Sequence, residues 1–280
     1  MPARRLAFVT DIHGNLPALE AAWAEISAAA PDRVLDLGDI ASGPLWPRET
    51  VQWLMAREAE APGRWLTIAG NHERQLLAPD LDRMGASDRF ARRALGPAEL
   101  AWIATLPKTR QVEPDVFACH GTPASDVEYF LETVTPDFGL GGSRGLRGAS
   151  PAEARARAAA VMGNSLVACG HTHHARLVAV PDGPLVINPG SVGLPAYDDA
   201  HPHPHYSESG SPHARWALAE RTPEGWRVEL RATAYDWQRA AERAEANGRG
   251  DWADALRTGF MGRTEADAMA EQARRPQSGY

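Results

Sequence analysis

Short apolar runs alternate with helical periodicity through the first half of the chain. Residues 6–10, 33–37 and 64–69 read as buried strands. Between them, residues 16–30 carry Leu16, Leu19, Trp23 and Ile26 at helical spacing up to Pro31, and residues 47–60 form a helix with Pro47 in its first turn. Residues 73–106 are helical in pattern, broken at Pro79 and at Gly96-Pro97. Strands at 109–112 and 116–119 flank a turn at Glu113-Pro114-Asp115.

The second half is richer in strands. Residues 138–148 are glycine-rich without periodicity and are read as a mobile loop. Residues 151–162 form an alanine-rich helix capped by Ser150. Strands follow at 166–169, 176–180 and 185–187, then a hairpin at 215–220 and 226–233. This order predicts an α/β layered protein, two sheets with helices outside. Residues 1–234 form the core, and 235–280 form a polar helical extension anchored by Trp237, Trp252, Leu256 and Phe260. Those anchors suit either docking on the core or a homodimer contact.

Composition narrows the class. The 280 residues are 44% apolar and 23% charged, ordinary for a globular protein. The opening segment offers four consecutive apolar residues, Leu6 to Val9, against the roughly 7–15 of a secretory signal. No run approaches the roughly 20 apolar residues of a membrane span. Cys119 and Cys169 each end an apolar run and read as buried reduced thiols. A cytoplasmic protein without a membrane partner is the expectation. The formal charge of −7 disfavours nucleic acid bound through a broad basic face.

The chemistry sits where the apolar runs end. They lead into Asp11-Ile12-His13-Gly14-Asn15, Gly38-Asp39, Gly70-Asn71-His72-Glu73, His120-Gly121, Gly170-His171-Thr172-His173 and Asn188-Pro189-Gly190-Ser191. In open α/β sheets ligands bind beyond the carboxyl ends of the strands, so these segments point to one shared site. In extended backbone, residues two apart face the same side; Asp11 with His13, and His171 with His173, would each present two ligands together. With Asp39, Asn71 and His120 they make seven oxygen and nitrogen ligands. Seven exceeds one four-coordinate zinc and suits two divalent ions sharing a carboxylate. Imidazole with carboxylate and no thiolate favours manganese, iron, zinc, cobalt or nickel.

The order Asp-x-His, Gly-Asp, Gly-Asn-His-Glu, His-Gly, Gly-His-Thr-His resembles the calcineurin-like metallophosphoesterase superfamily. Residues 11–20 and Asn188-Pro189-Gly190-Ser191 are similar to its small bacterial and archaeal phosphoesterases, and the likeness spans residues 6–195. The resemblance implies a four-layer α-β-β-α sandwich and a dinuclear metal centre. Asp11, His13 and His173 would take one metal and Asn71, His120 and His171 the other, with Asp39 bridging. His72 would be the catalytic, non-ligand histidine. The implied activity is hydrolysis of a small phosphomonoester or phosphodiester, nucleotides included, by hydroxide held between the metals. A nuclease and a non-catalytic scaffold on the same fold are the alternatives.

One departure matters. Ser42 and Gly43 stand where the phosphoprotein phosphatases carry an Asp that orients the histidine and an Arg that grips phosphate. That disfavours a protein phosphatase and leaves the orienting partner of His72 open. Glu73 is adjacent, but it is read as first-turn negative charge on the next helix. Candidate substrate contacts are Asn15, Arg144 and Arg147. His201-Pro202-His203-Pro204-His205 reads as an extended loop that either faces the cleft or carries no ligand.

Overall fold

The computed structural model describes residues 5–274. Residues 1–4 of the opening segment and 275–280 of the tail lie outside the described residues. In one sheet, β1 (Arg5–Val9), β2 (Arg33–Asp36) and β3 (Trp65–Thr67) are parallel. The hairpin β13 (Ala214–Thr222)–β14 (Gly225–Thr233) joins β1 antiparallel, giving the order β14-β13-β1-β2-β3. In the other, β5 (Val116–Cys119), β8 (Leu166–Ala168) and β10 (Leu185–Asn188) are parallel. They are edged by antiparallel β4 (Thr109–Glu113) and β9 (Arg176–Ala179).

Period-two alternation sorts the side chains into layers. Leu6 and Phe8 of β1 point between the sheets, with Leu35 and Ala217 from one side and Val116, Leu166 and Ile187 from the other. Ala7 and Val9 point the opposite way, onto α1 (Leu16–Ala28) and α2 (Pro47–Glu60). The same layer holds α3 (Asn71–Leu76), α4 (Ala86–Ala94) and α5 (Pro97–Ile103). On the far face Val167 and Val186 pack on α6 (Pro151–Arg157). The result is the expected α-β-β-α sandwich.

Two local readings are corrected. Residues 138–148 are not a structureless loop: β7 (Leu146–Gly148) pairs with β6 (Glu132–Val134). The helix at 151–162 stops at Arg157 and tightens into a 3-10 turn. The polar strands β11 (Ala196–Asp199) and β12 (His205–Glu208) had no apolar run to announce them. The tail forms α7 (Trp237–Ala246), α8 (Gly250–Thr258) and α9 (Glu265–Arg274). Its alanine faces and Leu256 close on Leu45 and Leu194, in the loops after β2 and β10, and on Ala196 at the start of β11. Among the described residues no helix is long and apolar enough to cross a membrane.

Trp65 anchors the outer helical layer. It is buried, and its ring meets Trp23 and Trp53 edge-on at 5.3 and 5.4 Å between centroids. Trp65→Ala is expected to destabilise the protein by about 3–5 kcal/mol through the cavity left behind. A lowered urea midpoint at an unchanged slope would show it; an unmoved midpoint would mean the three-tryptophan contact carries little of the fold's stability.

Candidate metal centre

Loops from both sheets meet over one cleft. Asp11 and His13 follow β1, Asp39 follows β2, and Asn71 and His72 open α3 just after β3. His120 follows β5, and His171 and His173 follow β8. The side chains assemble as two groups, Asp11 with His13 and His173, and Asp39 with His120 and His171; within each group the ligand atoms lie within 4.8 Å of one another. Asn71 joins the second, its Oδ1 3.1 Å from His120 Nε2.

The expected geometry is corrected here. His171 and His173 diverge, one to each group. Extended alternation is not what aims them, because φ is +52° at Asp11, +51° at His13, +58° at Asp39, +70° at His171 and +59° at His173. Left-handed backbone costs a residue with a Cβ about 1–2 kcal/mol, so tertiary bonds must hold these turns. Asp11 and His13 donate their N–H groups to the Gly38 and Asp39 carbonyls at 2.9 and 3.0 Å. Ser191 Oγ donates to the Asp11 carbonyl at 2.8 Å, and Asn188 Nδ2 donates to the Gly170 carbonyl at 2.8 Å. The Asn188-Pro189-Gly190-Ser191 segment is therefore a brace for two ligand loops. Gly193 completes it: a Cβ there would sit 1.7 Å from the Ile12 carbonyl oxygen.

The donor set fits divalent transition-metal ions. Nδ1 of His13, His120 and His173 lies 2.7, 2.8 and 2.6 Å from the carbonyls of Ser42, Leu37 and Leu194. A carbonyl only accepts, so each Nδ1 carries a proton and each ring turns its Nε2 into the site, bare where the ring is neutral. His171 is reversed: its Nε2 donates to the Val127 carbonyl at 3.2 Å, leaving Nδ1 as the lone-pair atom. His13 Nε2 and His173 Nε2 face each other at 3.2 Å, two lone pairs with no proton between them. Asp11 Oδ1 is buried without a hydrogen-bond partner, while its Oδ2 accepts the His171 N–H at 3.1 Å. Acceptors turned on one another in a buried site call for a cation.

Charge states differ between the rings. Burial pushes His13 down to about 3 and His171 down to about 4, keeping both neutral. Burial opposes ionisation of Asp11, yet facing His173 and His120 hold it at about 2. Burial also opposes charge on His120, but Asp39 and Asp11 outweigh it and raise the group to about 10. Those carboxylates draw positive charge to Nε2, a place a metal ion can take as well as a proton.

His72 stands outside both groups. Its Nδ1 bonds Asp88 Oδ1 at 2.8 Å, and its Nε2 lies 3.9 Å from Asp39 Oδ2. Burial opposes its charge, but Asp39 and the Asp88 bond raise it to about 9. Asp88 thus fills the orienting role left open, from the first turn of α4. Nothing local marks it, because the contact joins two helices. Glu73 does more than favour a helix start: its carboxylate accepts N–H bonds from Gly70, Asp39 and Ile40 at 2.8, 2.8 and 2.9 Å.

The proposed substrate contacts are not brought to the site. Asn15 caps α1 and bonds the Gly193 carbonyl and the Tyr235 hydroxyl, with no exposure. Arg144 pairs with Glu208 and Arg147 with Glu153, around a separate cavity. Of the His-Pro segment only His205 is buried; its Nε2 meets the Tyr129 hydroxyl at 2.8 Å, and Tyr129 lines the cleft. The cleft holds about 260 Å³, and the tail lines it with Arg249, Asp251, Trp252, Met261 and Glu265. Trp252 meets His13 edge-on at 5.8 Å. An anchor residue in sequence, it is a wall of the site in the fold.

Comparison with known proteins agrees with this arrangement. No curated protein matches the chain. A metallophosphoesterase from Sphaerobacter thermophilus shares the fold with a TM-score of 0.64 at 22% identity, covering 92% of this chain and all 100% of that one. A hypothetical protein from Pyrococcus horikoshii OT3 gives 0.69 at 18% identity, covering 92% and 99%. The model of the calcineurin-like phosphoesterases matches residues 4–175, more than half of the chain, a span that includes all seven candidate ligand positions and His72. This chain is a member of the calcineurin-like phosphoesterase family.

Proposed function

We propose that the protein hydrolyses phosphoester bonds in small molecules and depends on two divalent transition-metal ions. The observation that carries this is the pair of buried His/Asp clusters, one with His13 and His173 turned nitrogen to nitrogen, beside one histidine that belongs to neither. Asp11, His13 and His173 would hold one ion, Asn71, His120 and His171 the other, with Asp39 shared. Such ions acidify water and neutralise phosphoryl oxygens. His72, held through Nδ1 by Asp88, turns its Nε2–H toward the cleft and can protonate the leaving oxygen.

The cleft supports a small substrate. The tail walls it, and beyond the ligands it presents Asp198, Asp199, Asp251 and Glu265 against Arg249 as the lining cation. A nucleic-acid strand would meet carboxylates there instead of a basic track, so the nuclease alternative finds no support. Cys119 and Cys169 are buried free thiols with pKa values pushed up by burial, which suits the cytoplasm.

The direct test is elemental analysis of metal-loaded protein followed by a panel of monoesters, diesters and cyclic nucleotides. Two equivalents of metal and chelator-sensitive hydrolysis are expected; a loaded protein inert toward every ester would return the scaffold alternative. His72→Asn should lower kcat by ~10²–10⁴ with metal content unchanged, since the side chain binds no ion. Asp39→Asn should lose both metal and activity. Full activity with both metals retained in that variant would disprove the shared-ligand assignment.

A further inference from the structure

We propose that Arg249, on the tail, is a positioning residue for His72. It locks the first turn of α4, and so fixes Asp88, the side chain that aims the imidazole. This rests on the phosphoesterase reading of the same site.

Arg249 is 4% exposed, the only arginine so buried among the described residues. Its Nε and Nη2 grip the Asp251 carboxylate at 2.9 and 2.6 Å, and Nη2 also reaches Glu265 at 2.8 Å. Its Nη1 crosses to α4 and donates to Ser87 Oγ at 2.7 Å. The next residue is Asp88, itself 5% exposed and bonded to His72. Helix α4 starts at Gly85 without a side-chain cap, so tertiary contacts must set its first turn. The guanidinium, flanked by two carboxylates, already has its charge compensated. That favours a brace over a grip on phosphate. Guanidinium planes hold such forked geometry better than an ammonium would.

The chain of contacts therefore runs from α9 and α8 through Arg249 to Ser87, Asp88 and His72. The same segment places Trp252 against His13. A tail outside the family-matched residues 4–175 thus supports the residue that handles the proton.

The test uses zinc-loaded full-length protein and two variants. Ser87→Ala removes only the link between Arg249 and α4; Arg249→Met removes the whole brace and exposes Asp251 to loss of its partner. Kinetics are read on an alkyl phosphate, whose leaving oxygen needs a proton, and on p-nitrophenyl phosphate, whose leaving group does not. For Ser87→Ala we expect kcat on the alkyl ester to fall about tenfold, part of the ~10²–10⁴ a placed proton donor supplies. KM and metal content should hold, and p-nitrophenyl phosphate should lose far less. In a His72→Asn background Ser87→Ala should cost nothing more. In the ¹⁵N-histidine NMR spectrum the His72 Nδ1–H signal should shift or broaden in Ser87→Ala. An unchanged kcat and an unchanged His72 signal in that variant overturn the proposal, even if Arg249→Met fails to fold. A raised KM at constant kcat also overturns it, making Arg249 a substrate contact. If the wild type hydrolyses no ester of the monoester, diester and cyclic-nucleotide panel, the phosphoesterase reading fails, while the NMR signal still decides whether Arg249 positions His72.

Discussion

Lone pairs turned on one another set the terms for everything around the cleft. Bare imidazole nitrogens and carboxylate oxygens do not gather in a buried place of their own accord. Here each is held from behind. The carbonyls of Leu37 and Ser42, in the loop after β2, fix His120 and His13; the Leu194 carbonyl, after β10, fixes His173. Every ligand loop is thus anchored by a loop from another strand. The left-handed turns at five ligands are the backbone's share of the same constraint, kept in place because the loops over-determine one another.

Two neighbouring residues divide the labour at the start of α3. Glu73 spends its carboxylate on three backbone N–H groups and so fixes the Asp39 turn. His72 projects the other way and takes its orientation from α4. The two His/Asp clusters are therefore braced by the loops of the sheets, whereas His72 depends on how the outer helices sit. A perturbation of the helical layer can alter one half and spare the other.

The clustering of these side chains was legible in sequence because each lies directly after an apolar run, and strand ends in an open sheet share an edge. The sandwich was legible for the same reason: Leu6, Phe8, Val34 and Leu35 announce two buried faces through alternation and apolar density. What escaped was non-local. Asp88 meets His72 sixteen residues away across a helix pair, and Arg249 reaches Ser87 over 162 residues. Neither leaves a local pattern. Arg144 and Arg147 misled because a glycine-rich arginine loop looks suited to phosphate, yet each arginine is already matched by a carboxylate. The alternation argument for His171 and His173 picked residues that do join the clusters, but through the wrong backbone, since left-handed turns send them to different clusters.

The tail changes what the net charge of −7 means. Asp11 and Asp39 belong to the two clusters, where a pair of divalent ions would add about four positive charges at one point. Asp251 and Glu265 belong to the tail and enclose Arg249, so they add no attraction for a polyanion at the rim. On the proposed reading attraction for phosphate would be concentrated at the cluster end of the cleft, while the far wall is made of Trp252, Met261 and carboxylates. The clusters and the wall come from different parts of the chain, so the wall can vary while the clusters stay in place.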